Sequence, residues 1–473
     1  MSGHLFIPET ILSGAIVTLL CLTLAKKETV SKILDPFMVF SGTILIVSSC
    51  LSLRGAGNLF YSTYRIDLFS QGFKCMLSAA LFFTILLSNS MISLSEKRRL
   101  EYFLFLCTAT LGMMMLVSAV DILTLYVSLE LSSYSLYILS ALREDKRTAE
   151  ASVKYLVFGA ATSGFLLWGL SLLSGLAGST SLIVISKNAP ALLLQPAFSL
   201  GLLFVSISFI FKLSGFPAHF WAPDVYESSS TTVTAFIATA SKAAAIAILI
   251  RVLLLLSAPA AFMMVLSILA FVSMTLGNSV ALVQQDVKRL LAYSSIAQAG
   301  YVLVGLLAGT FEGYSSSFFY AVAYIIMNTG AFLVTVIVAK DANHDNPQLS
   351  HFDGLADRSP FLALILLLSL LSLAGIPPLV GFTGKWILFS AAMEKGHWFL
   401  VLWGVLNSVV SLFYYLTLVK HAYLEKPKTP NPIRVPMRLK VLGVFLFCAL
   451  VFLGIFPNPL IVFTQQAIVA MSS

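Results

Sequence analysis

The sequence predicts an all-α polytopic membrane protein of about 14 transmembrane helices, arranged around two inverted five-helix repeats. Three observations carry that prediction. Of the 473 residues, 58% are hydrophobic and only 11% charged, whereas ordinary soluble domains are about a quarter charged. Apolar runs of about 20 residues, each long enough to cross a bilayer, follow one another along the whole chain. Two of those runs are interrupted by Gly and Pro five spans apart. No separator holds a sizeable soluble domain. A soluble enzyme, a nucleic-acid module and a disordered scaffold are excluded.

In order, the spans read 7–25, 34–53, 67–90, 100–119, 121–142, 149–176, 197–216, 231–254, 260–283, 289–309, 315–339, 360–392, 397–420 and 438–466. The first, from Ile7 to Ala25, lacks a preceding basic residue and a small-residue cleavage site, so it reads as a span rather than a removable signal. Residues 179–195 read as a short surface segment. The net charge of +8 is distributed by topology. Loops after odd-numbered spans hold Lys26-Lys27, Lys97-Arg98-Arg99, Arg143, Lys146-Arg147, Lys288-Arg289 and the basic stretch from Lys426 to Lys440. Loops after even-numbered spans hold only Arg54, Arg65, Lys187, Arg251 and Lys395. The positive-inside rule then puts the odd loops in the cytoplasm and both termini outside.

Cys21, Cys50, Cys75, Cys107 and Cys448 lie in or beside apolar runs and form no C-x-x-C pair. That argues against a zinc site, an iron–sulfur cluster and a disulfide framework. The chain has no P-loop, no H-E-x-x-H and no complete G-x-G-x-x-G. The remaining histidines, His344, His351, His397 and His421 among them, are scattered without metal-ligand spacing.

Five lysines have no topological place: Lys74, Lys154, Lys212, Lys242 and Lys385 stand inside apolar spans, with Glu130 as an acidic counterpart in span 5. An ionisable side chain inside a membrane is costly, and such residues face protein or water and mark ion pathways. Lys74, near a helix end, has the simpler option of snorkelling. Lys212 stands in Phe211-Lys212-Leu213-Ser214-Gly215-Phe216-Pro217, and Lys385 follows Gly375-Ile376-Pro377-Pro378 and Gly381-Phe382-Thr383-Gly384. Proline removes a backbone donor and interrupts the helix, and the freed carbonyls belong inside protein or beside water. The breaks fall in spans 7 and 12. Since five is odd, a five-span unit repeats upside down, so spans 4–8 and 9–13 read as an inverted pair. The domains are then 1–99, a three-helix segment; 100–256, the first repeat; 257–420, the second; and 421–473, a cytoplasmic loop and last helix.

The run FKLSGFPAHFWAPDVYESSSTTVTAFIATASKAAAIAILI (211–250) closely resembles the antiporter-like subunit N of proton-pumping NADH:quinone oxidoreductase, respiratory complex I. So do LYVSLELSSYSLYIL (124–138), TAEASVKYLVFGAATSGFLLWG (148–169), QDVKRLLAYSSIAQAGYVLVG (285–305), MNTGAFLV (327–334) and SLAGIPPLVGFTGKW (372–386). The resemblance covers nearly the whole chain in order. It implies a proton relay of Glu130, Lys212, Lys242 and Lys385, with His219 and Lys154 in secondary roles. Two departures lie around the first break: Glu227-Ser228-Ser229-Ser230 where the family has Gly-Ala-Pro, and Pro217-Ala218-His219 in place of P-F-H. The resemblance further implies no cofactor in this chain. NADH, FMN, iron–sulfur clusters and quinone are expected in partner subunits. Expected neighbours are the antiporter-like subunit M, the small subunit K, the peripheral redox arm and lipid, in a bacterial inner membrane. The alternative is a subunit of a multisubunit Na+/H+ antiporter, or of a related quinone-linked dehydrogenase or membrane hydrogenase. In the expected mechanism, Glu130 approaching Lys212 favours its ammonium form, and opening of the pair releases a proton towards Lys242 and then Lys385. Ser133, Tyr134, Tyr137, Ser214 and Thr239 are the candidate hydroxyls of the wire.

Overall fold

Short polar residues at the starts of the apolar runs cap the helices that follow. Asp121, Asp145, Asp286 and Thr310 each accept a hydrogen bond from a backbone N–H of the first turn, where four N–H groups have no intrahelical partner. Pro196 and Pro360 occupy first helical positions, where a missing N–H costs nothing.

The computed structural model describes residues 3–25, 27–88, 96–256, 260–427 and 431–472. Lys26 and Lys428, counted above towards the topology, lie outside the described residues. The helices run α1 (Ile7–Thr23), α2 (Lys27–Leu51), α3 (Leu68–Ser88), α4 (Glu96–Ser118), α5 (Ile122–Ser140), α6 (Lys146–Ala177), α7 (Leu182–Leu192), α8 (Pro196–Leu213), α9 (Trp221–Ser228) and α10 (Thr231–Phe236). They continue as α11 (Lys242–Leu256), α12 (Ala260–Ala281), α13 (Val287–Leu307), α14 (Phe311–Asp341), α15 (Leu355–Arg358), α16 (Pro360–Ala374), α17 (Val380–Glu394), α18 (Trp398–Tyr423), α19 (Met437–Ile455) and α20 (Asn458–Ser472).

Among the described residues, 12 helices are long and apolar enough to cross a membrane. The other two predicted spans are α1, 17 residues long, and the broken pair α16–α17. The predicted span 438–466 is itself two helices, α19 and α20, parted at Phe456-Pro457. Residues 179–195 contain α7, which buries Leu182, Ile185, Ala189 and Leu192. The helix through α10 and α11, together with α13 and α14, forms the buried centre, and α2 and α19 lie at the periphery.

A small antiparallel hairpin precedes α3: β1 (Gly57–Leu59) pairs with β2 (Tyr64–Ile66) in the register Gly57↔Ile66, Asn58↔Arg65 and Leu59↔Tyr64. Phe60, Tyr61 and Ser62 make its turn at positive φ. None is a residue that announces such a turn, so the sequence gives no warning of it.

Two of the topological assignments change. Arg251, placed above in a loop, is 1% exposed within α11 and bonds Asp67 through both carboxylate oxygens. Lys288, also placed in a loop, is fully buried in the first turn of α13 and donates to the Ser229 carbonyl at 2.8 Å.

Close helix contact follows one spacing twice. A Cβ on Gly112 of α4 would stand 2.6 Å from Ser132 N and 2.9 Å from Ser128 O of α5. A Cβ on Gly277 of α12 would stand 2.6 Å from Ala297 N and 2.7 Å from Tyr293 O of α13. Each of these three positions recurs 165 residues on (112 to 277, 128 to 293, 132 to 297). The contacted atoms are backbone and cannot turn aside. Gly112→Leu and Gly277→Leu should therefore each destabilise the bundle by about 1–3 kcal/mol or more, read as a lower melting temperature of the detergent-solubilised assembly.

Candidate functional site

Both broken spans end their first half in the same way. α8 closes with Ser214 in the left-handed conformation, its N–H on Phe211 O and that of Gly215 on Ile210 O. α16 closes with Gly375 at φ 92°, its N–H on Leu371 O and Ser372 O, and Ile376 N–H also on Leu371 O. The bonds Phe216–Pro217 and Pro377–Pro378 that follow are both cis. The end of a half-helix carries partial negative charge on its last carbonyls, which favours a cation nearby. Lys212 lies in the last turn of α8. Lys385 lies on α17 but folds back, its Nζ donating to Ala374 O at 3.0 Å, the last residue of α16.

Lys212 is 7% exposed and donates to Ser132 Oγ at 2.9 Å. Glu130, two residues away on α5, accepts instead from Ser163 Oγ of α6 at 2.5 Å. Glu130 and Lys212 thus lie on one wall without an ion pair within 4.0 Å between them. The hydroxyl that meets the lysine is Ser132. Ser133 and Thr239, the expected wire partners, bond carbonyls of their own helices, and Tyr134 faces outward, 53% exposed. Tyr137 is buried edge-to-face against Tyr155, which stacks on Trp221 at 4.2 Å. His219 is buried in the break between the rings of Phe216 and Phe220, with no hydrogen-bond partner at Nδ1 among the described residues.

Lys242 follows a five-residue π-helical turn, Ile237–Ser241. Such turns are wider than the α-helix and concentrate at functional sites. Its Nζ donates to Ser295 Oγ (2.8 Å) and Ser295 O (3.0 Å) on α13, so this lysine binds across from span 8 to span 10. A small cavity beside it is lined by Leu213, Ile246, Gln298, Ala299, Val302 and Tyr324.

Gln298 was not singled out by sequence, yet it joins two of the lysine sites. Its Nε2 donates to Leu373 O at 3.0 Å, one carbonyl before the one that holds Lys385. Its Oε1 accepts from Tyr320 OH, and Tyr415 OH lies 3.5 Å from its Nε2 and 2.5 Å from Ser294 Oγ. Lys385 also donates to Ser408 Oγ at 3.2 Å and lies over the Tyr301 ring, 4.3 Å from its centroid. From Lys242 to Lys385 the interior is thus a run of polar side chains on α13, α14 and α18.

Lys154 differs from these. Its side chain is 43% exposed and pairs with Glu150 (2.8 Å) and Asp224 (3.1 Å). Asp224 also pairs with Arg289, which pairs with Glu227. Lys154 belongs to an ion network beside the basic loops rather than to the buried row.

Residues 119–411 match the family described as NADH:quinone oxidoreductase/Mrp antiporter, TM. The chain belongs to this family. It is 44% identical over 475 residues, all of this chain and all of the relative, to NADH-quinone oxidoreductase subunit N 2 of Syntrophobacter fumaroxidans. It is 38% identical to subunit N 2 of Solidesulfovibrio magneticus over 99% of both chains. A chain in the structure of respiratory complex I from Thermus thermophilus with bound aureothin superposes with a TM-score of 0.85 at 31% identity, covering 97% of this chain and all of the other. A chain of the Mrp complex from Dietzia sp. DQ12-45-1b superposes with a TM-score of 0.89 at 18% identity and shares the fold.

Ser295→Ala would leave the buried Lys242 with one carbonyl partner and should destabilise the assembly by about 1–3 kcal/mol. Lys154→Ala, at a half-exposed pair, should change stability by less than about 1 kcal/mol. Thermal unfolding of the two variants beside the parent checks the contrast.

Proposed function

We propose that this chain is the proton-translocating membrane subunit N of an NADH:quinone oxidoreductase, acting as part of an enzyme complex whose electron transfer takes place elsewhere. The observation that carries the reading is the row of buried lysines, Lys212, Lys242 and Lys385. Each is held by hydroxyl or carbonyl oxygens, with Glu130 beside the first. The full-length likeness to relatives named subunit N sets the reading in complex I.

The chemistry follows from the partners. An ammonium donates to a serine oxygen; a neutral amine accepts from the same hydroxyl. Either protonation state is therefore satisfied without moving the backbone, as a proton-carrying site requires. Glu130, held by Ser163 in the open arrangement, closes on Lys212 by exchanging one hydroxyl for an ammonium. That exchange biases Lys212 towards holding its proton; reopening releases it towards Lys242. Transfer onward to Lys385 runs past Gln298, Tyr320 and Tyr415. His219 serves at the first break, and Lys154 tunes the row from the ion network outside it.

Spans 4–8 and 9–13 are an inverted pair in this reading, with domains at 1–99, 100–256, 257–420 and 421–473. The 165-residue spacing supports it: by that spacing Glu130 corresponds to Ser295. The second repeat thus sets a hydroxyl against Lys242 at the position where the first carries Glu130. NADH, FMN, iron–sulfur clusters and quinone belong to the partner subunits, and this chain's neighbours are the antiporter-like subunit M and the small subunit K. The complex lies in a bacterial inner membrane, with both termini on the outer side, as the basic loops indicate.

Lys212→Ala, Lys242→Ala and Lys385→Ala should each impair NADH-driven proton pumping and the electron transfer coupled to it, measured in membrane vesicles containing the assembled complex. Glu130→Gln, which removes the charge and keeps the shape, should do the same. Unchanged pumping in all three lysine variants would sink the relay.

A further inference from the structure

A second set of buried charges lies outside the repeats, between α1, the hairpin, α3 and α11. Glu9 of α1 and Lys74 of α3 are both fully buried, and Lys74 Nζ lies 2.6 Å from Glu9 Oε1. Tyr64 of β2 donates its hydroxyl to the same Oε1 at 2.5 Å, and its ring lies under the ammonium, 5.0 Å from centroid to Nζ. Asp67 accepts the N–H of Ser70 at the start of α3 and holds Arg251 of α11. Arg65, 20% exposed, lies 3.6 Å from Asp67 on the solvent side.

These groups line up along one helix face. Asp67, Gln71, Lys74 and Ser78 follow the i, i+4, i+7, i+11 pattern that puts residues on one side of a helix, and all four are buried. At about 1.5 Å per residue the stripe is ~16 Å long, about half the ~30 Å hydrocarbon thickness. Ser78 continues it to Ser49 Oγ on α2 at 2.7 Å. Buried polar groups in proteins nearly always have partners. Here, among the described residues, Glu9 Oε2, both polar side-chain atoms of Gln71 and Arg251 Nε have none, and Lys74 Nζ has only its ion pair. A structural ion pair at this depth is expected to have its remaining lone pairs and protons satisfied. Atoms left open between two charged pairs instead suit bridging water.

We infer that this stripe is a proton-conducting half-channel opening at the hairpin and ending at a proton-exchanging Glu9–Lys74 pair. Internal water links Asp67, Gln71 and Lys74. The proton moves from the Lys74 ammonium to the Glu9 carboxylate, giving a neutral amine and a neutral acid, and returns by the reverse step. The Tyr64 hydroxyl holds the carboxyl in place in both states. The titratable and charged groups facing the pair are Tyr64, Asp67 and Arg251, with Arg65 at the mouth. α3 packs along the helix that carries Lys242. Arg251 lies nine residues, ~13 Å, beyond Lys242, and Lys74 lies ~10 Å inward of the Asp67–Arg251 pair. The two lysines are therefore at comparable depth on neighbouring helices.

The inference rests on the proton-pumping reading, and the test separates the two. Protons moved per NADH oxidised are measured in vesicles with the assembled complex carrying Glu9→Gln together with Lys74→Met, beside Lys212→Ala. The double variant removes both charges together, so neither is left without its counter-ion. A loss of protons per NADH in both supports the half-channel. A normal ratio in the double variant with a loss in Lys212→Ala overturns it, because a purely structural pair tolerates joint neutralisation. Normal ratios in both, and in Lys242→Ala and Lys385→Ala measured beside them, overturn the pumping reading itself. If the double variant does not assemble, Gln71→Leu decides: a lowered ratio supports the water path, and an unchanged ratio overturns it.

Discussion

An ammonium group removed from water must find oxygen, and the interior of this protein is organised around that requirement. A buried cation without a partner is among the most costly things a fold can contain. Lys212, Lys242 and Lys385 meet the requirement with serine hydroxyls and backbone carbonyls, that of Ser295 within α13 and that of Ala374 at the end of α16. None of the three has a carboxylate within ion-pair distance among the described residues. A carboxylate would bind the ammonium more firmly and hold its proton in place. Neutral oxygens compensate the charge less and accommodate the amine equally well, so the proton is held and still free to leave.

The irregular parts of the backbone follow from the same need. Within a continuous helix each carbonyl already accepts the N–H four residues on and has one lone pair left for a second donor, as Ser295 O has for Lys242. Breaking α8 at Ser214 and α16 at Gly375 frees the last carbonyls of each half. The π turn before Lys242 alters the rotation of one helix between its two ends. These three departures from regular geometry lie beside Lys212, Lys385 and Lys242.

The spans and the lysine row were legible because both are local signals. An apolar run states its own length, and a lysine inside it stands out against its neighbours. The breaks were legible because proline and glycine act on the adjacent backbone. Partners were not legible. Spacing points to Ser133, three residues from Glu130 and on its helix face, rather than to Ser132, two residues away; only packing shows that Ser132 meets Lys212. Gln298 gains its meaning from Leu373, Tyr320 and Tyr415, all distant in sequence. Glu9 reads as an ordinary first-turn acid until α3 places Lys74 against it. Arg251 reads as the end of a span because a charge is the usual end of one; its partner Asp67 is 184 residues away.

Arg251 also shows why two kinds of buried cation coexist on one helix. Nine residues at about 100° each put Arg251 and Lys242 on opposite faces of α11. Arginine does not lose its proton in proteins, and here one guanidinium nitrogen, Nη2, reaches both oxygens of the carboxylate. The Arg251–Asp67 pair, with both oxygens engaged at 3.1 Å, is therefore a permanent tie between α11 and the start of α3. Lysine is the opposite choice: a single nitrogen whose proton can leave, facing neutral oxygens on α13. The helix is pinned by the charge that cannot change. The charge that can change then acts against a fixed frame, so altering it shifts hydrogen bonds and water rather than the helix.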